Sequence, residues 1–137
     1  MKNLKPLTEL TARILIAVIF LVAGFGKIGS FSATQSYMES AGVPGGLLPL
    51  VIILEAGGAI AVILGWQTRY TALALAAFTL IAALLFHNDL SDQMQAILFL
   101  KNLAITGAFL LLVVHGAGEF SLDARTARME DNGSKSL

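Results

Sequence analysis

Four side chains in this sequence are of types that long apolar stretches avoid: Arg13, Glu55, Lys101 and Asn102. A carboxylate, two cations and a carboxamide gathered in a low-dielectric setting could hydrogen-bond a carbonyl, or hold and relay a proton. Glu55 is the sharpest case, because it stands near the middle of residues 47–65, LLPLVIILEAGGAIAVILG. The hydrocarbon core of a bilayer is ~30 Å thick and a helix rises ~1.5 Å per residue, so ~20 apolar residues span it. Counted from either end of the stretch, Glu55 lies roughly 12–15 Å deep. An acid there costs on the order of 3 kcal/mol. Each Leu, Ile or Val of the run returns ~0.3–0.6 kcal/mol, so their sum outweighs the acid and the segment still inserts. A plain span would carry Leu at 55, which makes Glu55 the leading functional residue.

The elements that must position these groups are membrane helices. The chain has 137 residues, of which 56% are hydrophobic and 13% charged, and its mean hydropathy is +0.78. An average soluble domain has about 25% charged residues, so the class is all-α integral membrane, with no room for a separate soluble domain. The formal net charge is zero, which gives no reason to expect nucleic-acid binding. There is no cysteine, which excludes thiol–disulfide chemistry or a Cys metal site within this chain.

Four spans are expected, at about residues 7–26, 47–65, 70–86 and 94–115. A basic start before an apolar run resembles a signal peptide. The run is long for one and three more spans follow, so an uncleaved first helix is expected. Phe31, Thr34, Tyr37, Met38 and Ala41 fall at helical spacing, which predicts a short interfacial helix between the first two spans. Gly42-Val43-Pro44-Gly45-Gly46 breaks it. Residues 126–137 read as a polar, disordered tail. Lys2, Lys5, Arg13, Arg69, Arg125, Arg128 and Lys135 fall on or near one side of a four-span arrangement, and Lys27 on the other. By the positive-inside rule both termini are cytoplasmic.

Spacing also suggests which faces meet. Arg13, Ala17, Phe20, Gly24 and Lys27 share one helix face, as do Lys101, Ala104, Ala108, Leu111 and His115. Glu55 shares its face with Gly58, Ala59 and Val62, beside a small-residue row of Gly57, Ala61 and Gly65 suited to close helix approach or a homo-oligomer. Turning these stripes inward gives a four-helix bundle with Glu55 near Arg13 or Lys101, and Asn102 as an added donor. A buried carboxylate without a cation would instead take up a proton.

Plainer readings exist for each group. Arg13 and Lys27 lie near opposite ends of one helix and can snorkel, the favoured reading for Lys27, which otherwise contributes at the outer edge of the cluster. Glu55 with Lys101 can be a silent structural ion pair. Asn102 and Thr106, one turn apart, more often join helices than bind ligands. His87 and Asp89 lack a third metal ligand.

The ordered pieces resemble the DoxX family, in particular its small four-helix members of bacterial inner membranes. They are Arg13, then Ala23-Gly24-Phe25-Gly26-Lys27, Ala41-Gly42-Val43-Pro44, Leu54-Glu55-Ala56-Gly57-Gly58 and Gly65-Trp66-Gln67-Thr68-Arg69. Phe99-Leu100-Lys101-Asn102-Leu103, Gly116-Ala117-Gly118 and Ser121-Leu122-Asp123 complete the series. The similarity runs over roughly residues 7–125 and implies a single domain over 1–125. It also implies a link to membrane redox or stress processes through relatives that serve thiosulfate:quinone oxidoreduction. No catalytic set carries over, so at most an oxidoreductase subunit is implied, with quinone as its ligand and a redox protein as its partner. A small carrier or proton path, and a structural or assembly subunit, are the alternatives.

Overall fold

The computed structural model of the chain describes residues 4–136. Every regular element among them is a helix. Helix α1 spans Lys5–Gly29 and α2 spans Phe31–Ser40. Helix α3 spans Gly45–Leu64, α4 Thr68–Phe86 and α5 Gln93–His115. Helix α6 spans Leu122–Lys135. Helices α1, α3, α4 and α5 are each long and apolar enough to cross a membrane. They alternate in direction, so α1 starts and α5 ends at one end of the bundle, the near end. Helix α2 lies at the far end.

Local chemistry sets the boundaries. Pro6 sits in the first turn of α1, where a missing N–H breaks no helical bond, and Pro49 follows the 3₁₀ turn Gly45–Leu47 that opens α3, at the start of its α-helical part. Gly65 ends α3 at φ +69°, a left-handed conformation that glycine adopts without strain. The side chains of Asp92 and Ser121 cap α5 and α6 by accepting from Met94 N and Ala124 N.

Helix α1 packs against α3, α4 packs against α5, and the last part of α3 joins the two pairs. The core holds Ala17, Phe20, Ala59, Val62, Ala72, Leu75, Ala76 and Phe109. Phe20 and Phe109 meet edge-to-face with ring centroids 5.4 Å apart. Nearly all of this packing lies in the near half.

Two expectations change. The segment read as a disordered tail is helical through Lys135, because the Ser121 cap and an i,i+4 ion pair, Lys135–Asp131 at 2.6 Å, support a helix that buries none of its side chains. Lys2 lies outside the described residues. The fourth-span face is also different: Lys101, Ala104, Leu111 and His115 are exposed, and Asn102, Ile105, Thr106 and Phe109 turn inward. In a membrane the outward face is as apolar as the inward one, so periodicity alone does not orient such a helix.

Candidate functional site

The stripe on α1 does point inward, with Arg13, Ala17, Phe20 and Gly24 buried. Gly24 sets the register with α3. A Cβ placed there would lie 2.8 Å from Ala56 N, so only glycine admits this backbone approach. One turn further along α1, Lys27 comes level with Glu55.

Helix α3 widens at that level. Residues Ile53–Gly57 form a π-helical turn centred on Glu55. Such a turn inserts one extra residue and re-aims the side chains around it, a feature common at functional sites. The Glu55 Oε2 accepts from Lys27 Nζ at 2.8 Å. The Glu55 side chain is 6% exposed and that of Lys27 27%. Among the described residues the carboxylate has no other donor, so Oε1 is unpartnered.

This pair lies in the wall of a cavity of about 490 Å³ in the far half. That is within the ~300–1,000 Å³ typical of small-molecule and cofactor sites. Its lining is mostly apolar, with Lys27, Glu55, Thr79, His87, Lys101 and Asn102 as the main polar groups. Asn102 Nδ2 makes only a long bond, 3.4 Å, to Thr79 O. Helix α2 covers the far end, where Tyr37 stacks on Phe86 with centroids 5.4 Å apart. His87 Nδ1 pairs with Gln95 Oε1 at 2.9 Å beside it. In the adjoining loop, Asp89 accepts from Ser91 Oγ and N, which holds its carboxyl below the usual range.

The expected cluster is therefore only partly brought together. Glu55, Asn102 and Lys101 line one cavity, with Lys101 on its exposed rim. Arg13 is elsewhere, and the cation at Glu55 is Lys27, whose snorkelling reading gives way to an ion pair. Depth counted from helix ends puts Arg13 near enough to Glu55 for its long side chain to reach. The Gly24–Ala56 approach shifts the register, so Arg13 stands beside Val62 and Ile63. Matching Gly24 to the Ala56-Gly57-Gly58 run was the signal that could have found Lys27. No group of three metal-ligating side chains occurs among the described residues, around His87 and Asp89 or elsewhere.

The DoxX family model matches residues 8–88. The chain belongs to the DoxX family. It is a multi-pass inner-membrane protein: it has four helices able to cross a membrane, and two relatives from Escherichia coli (strain K12) are named as inner membrane proteins. Inner membrane protein YqjF is 50% identical over 123 residues, covering 90% of this chain and 95% of the relative. Inner membrane protein YphA is 38% identical over 128 residues, covering 88% and 91%. No solved structure matches the chain.

A second polar centre of this DoxX protein lies at the near end. Arg13, 1% exposed, donates to Val62 O at 3.0 Å and Ile63 O at 2.9 Å. It also donates to Phe120 O. Val62 and Ile63 are in the last turn of α3, where Val62 O has only the Gly65 N–H, at 3.2 Å, as a backbone partner, so the Arg13 guanidinium helps to cap that helix. Asp123 does the converse for α4: its carboxylate accepts from Gln67 N at 2.8 Å and Thr68 N at 2.9 Å. These bonds fasten the chain after α5 across the near end. Of the small-residue row on α3, Ala61 and Gly65 are buried inside the chain and Gly57 is exposed.

Proposed function

We propose that this DoxX protein is a quinone-facing subunit of an inner-membrane redox system, with the quinone head held in the far-half cavity. The observation that carries this reading is the Lys27–Glu55 pair in the wall of an otherwise apolar cavity. A quinone head asks for an apolar slot with a few convergent hydrogen-bonding groups. Lys27 Nζ and Asn102 Nδ2 are donors for a quinone carbonyl, and the unpartnered Glu55 Oε1 can hold the proton that accompanies its reduction. A chain without cysteine has no thiol electron carrier, so in this reading a partner protein brings the flavin, iron–sulfur or thiol centre. Helix α6 is the natural place for that partner, since it buries none of its side chains.

Orientation follows from charge. Lys5, Arg69, Arg125 and Arg128 belong to the near end and Lys27 to the far half. Both termini are then cytoplasmic, and the cavity opens in the outer leaflet half. The dense near-half core favours binding over transport, because a carrier path would have to cross Phe20, Val62 and Phe109.

The test is to isolate the protein in native nanodiscs and identify what accompanies it by mass spectrometry, with Glu55→Gln alongside. Quinone is expected with the parent and depleted in the folded variant. A parent without quinone, or a variant that retains as much, overturns the proposal.

A further inference from the structure

The cavity has two conceivable mouths, and they differ in chemistry. The far end faces water, but α2 lies across it, held by the Tyr37–Phe86 stack and by Gln35 Nε2, which donates to Gly45 O at 3.1 Å. The side is different. Ile19 of α1 and Ile81 and Leu85 of α4 line the cavity and are also 38%, 54% and 43% exposed. Helix α1 packs chiefly on α3, and α4 on α5. The cavity is lined from both pairs, and these part-exposed isoleucine and leucine side chains mark a lateral slot into it.

The depth of this slot decides what can use it. Ile19 lies ten residues before Gly29, or about 15 Å inside the far end of α1 at ~1.5 Å per residue. Ile81 lies five residues before Phe86, or about 7 Å inside the end of α4. Both are at hydrocarbon depth, so the slot opens into lipid rather than water. The polar groups Lys27, Glu55 and Asn102 line the same cavity.

We infer that the ligand enters sideways from the bilayer through the slot between Ile19 and Ile81. It is a molecule with a compact carbonyl-bearing head and one long apolar tail, and the tail stays in the slot when the head is bound. This deepens the quinone reading and rests on it: it selects the tailed, membrane-dissolved form over a head group arriving from water. The tail supplies affinity by burying apolar surface along the isoleucine rim, and the head supplies specificity.

The experiment measures binding of decylubiquinone and of ubiquinone-0, which lacks a tail, to the protein in nanodiscs. The parent is compared with Ile81→Trp, which fills the slot, and Glu55→Gln, which alters the head site. Decylubiquinone is expected to bind the parent more tightly than ubiquinone-0. Ile81→Trp is expected to weaken decylubiquinone about tenfold while sparing ubiquinone-0; Glu55→Gln is expected to weaken both. Equal binding of decylubiquinone to parent and Ile81→Trp, with the Glu55→Gln effect intact, overturns the lateral route and leaves the head site standing. No binding of either probe to the parent overturns both. The cysteine-free chain offers a second measurement that does not depend on a bulky replacement. Ile81→Cys is labelled with a membrane-soluble maleimide, and decylubiquinone, but not ubiquinone-0, is expected to slow the labelling. Equal labelling rates with either probe overturn the inference.

Discussion

Arg13 and Lys27 lie on the same face of α1, fourteen residues apart, and meet opposite surroundings. Arg13 finds no carboxylate; it spends its donors on the last-turn carbonyls of α3 and on Phe120 O. The near half around it is filled by packed side chains. Lys27 meets a carboxylate that keeps one oxygen free, in a π-helical turn beside a cavity. Arg13 is buried and Lys27 half-buried among membrane helices, where either alone would be read as functional. The difference is spare hydrogen-bonding capacity next to open space. Arg13 is consumed by the fold, and the Glu55–Lys27 pair is not.

The largest expected effect comes from Arg13→Leu. Removing the guanidinium takes its donors from Ile63 O and Val62 O, the latter keeping only the Gly65 N–H, and releases the segment that carries Phe120. The loss of two or three buried partners is expected to cost about 3–5 kcal/mol in unfolding free energy. No second substitution can restore it, because the acceptors are backbone. Reversible unfolding in mixed detergent checks this. A loss under about 1 kcal/mol would make Arg13 a snorkelling residue, not a clasp.

The far half should respond differently. Lys27→Met alone leaves Glu55 buried without its cation, at a cost of about 3 kcal/mol or a proton taken up by the carboxyl. Lys27→Met with Glu55→Gln removes both charges. The double variant is expected to recover most of that loss in the same unfolding assay, while the quinone binding proposed for the site is lost. A double variant as unstable as the single one would show that the pair, like Arg13, is bound up with the fold.

Much of the architecture was legible because the membrane enforces it. Apolar stretches of bilayer length can only be helices, and turn residues separate them. The inward face of α1 was legible too, since Arg13, Gly24 and Lys27 contrast with the rest of that helix. The site was legible in part: Glu55 and Asn102 stood out as polar groups in apolar runs. Its pairing was not, because depth counted along each helix ignores the register between helices, which the Gly24–Ala56 approach sets. The face of α5 was missed for a related reason, as lipid and protein neighbours are both apolar. The π-helical turn has no signature in ILEAG that a sequence pattern can read.

Gly24 tests that register directly. Gly24→Ala puts a methyl group 2.8 Å from Ala56 N, against backbone that cannot yield as a side chain would. Pushing α1 from α3 is expected to cost about 1–3 kcal/mol and to lengthen the Lys27–Glu55 pair. The far half should lose more than the near half, since Arg13 can follow a small displacement through its long side chain. Site-resolved hydrogen exchange separates the two, and uniform loosening would remove the special role given to this contact.

The smallest effect belongs to Asp123→Ala. Helix α4 starts after Gln67 in a left-handed conformation and has no capping side chain of its own. Asp123, distant in sequence, accepts from Gln67 N and Thr68 N in its place. Losing such a cap costs about 0.5–2 kcal/mol. Because the clasp at Arg13 holds the same corner, the damage should stay local. Exchange of the Gln67 and Thr68 amides is expected to quicken while the Lys27–Glu55 level is unchanged. If exchange also quickens around Glu55, the two halves are mechanically coupled, and the near end then acts on the cavity rather than merely closing the bundle below it.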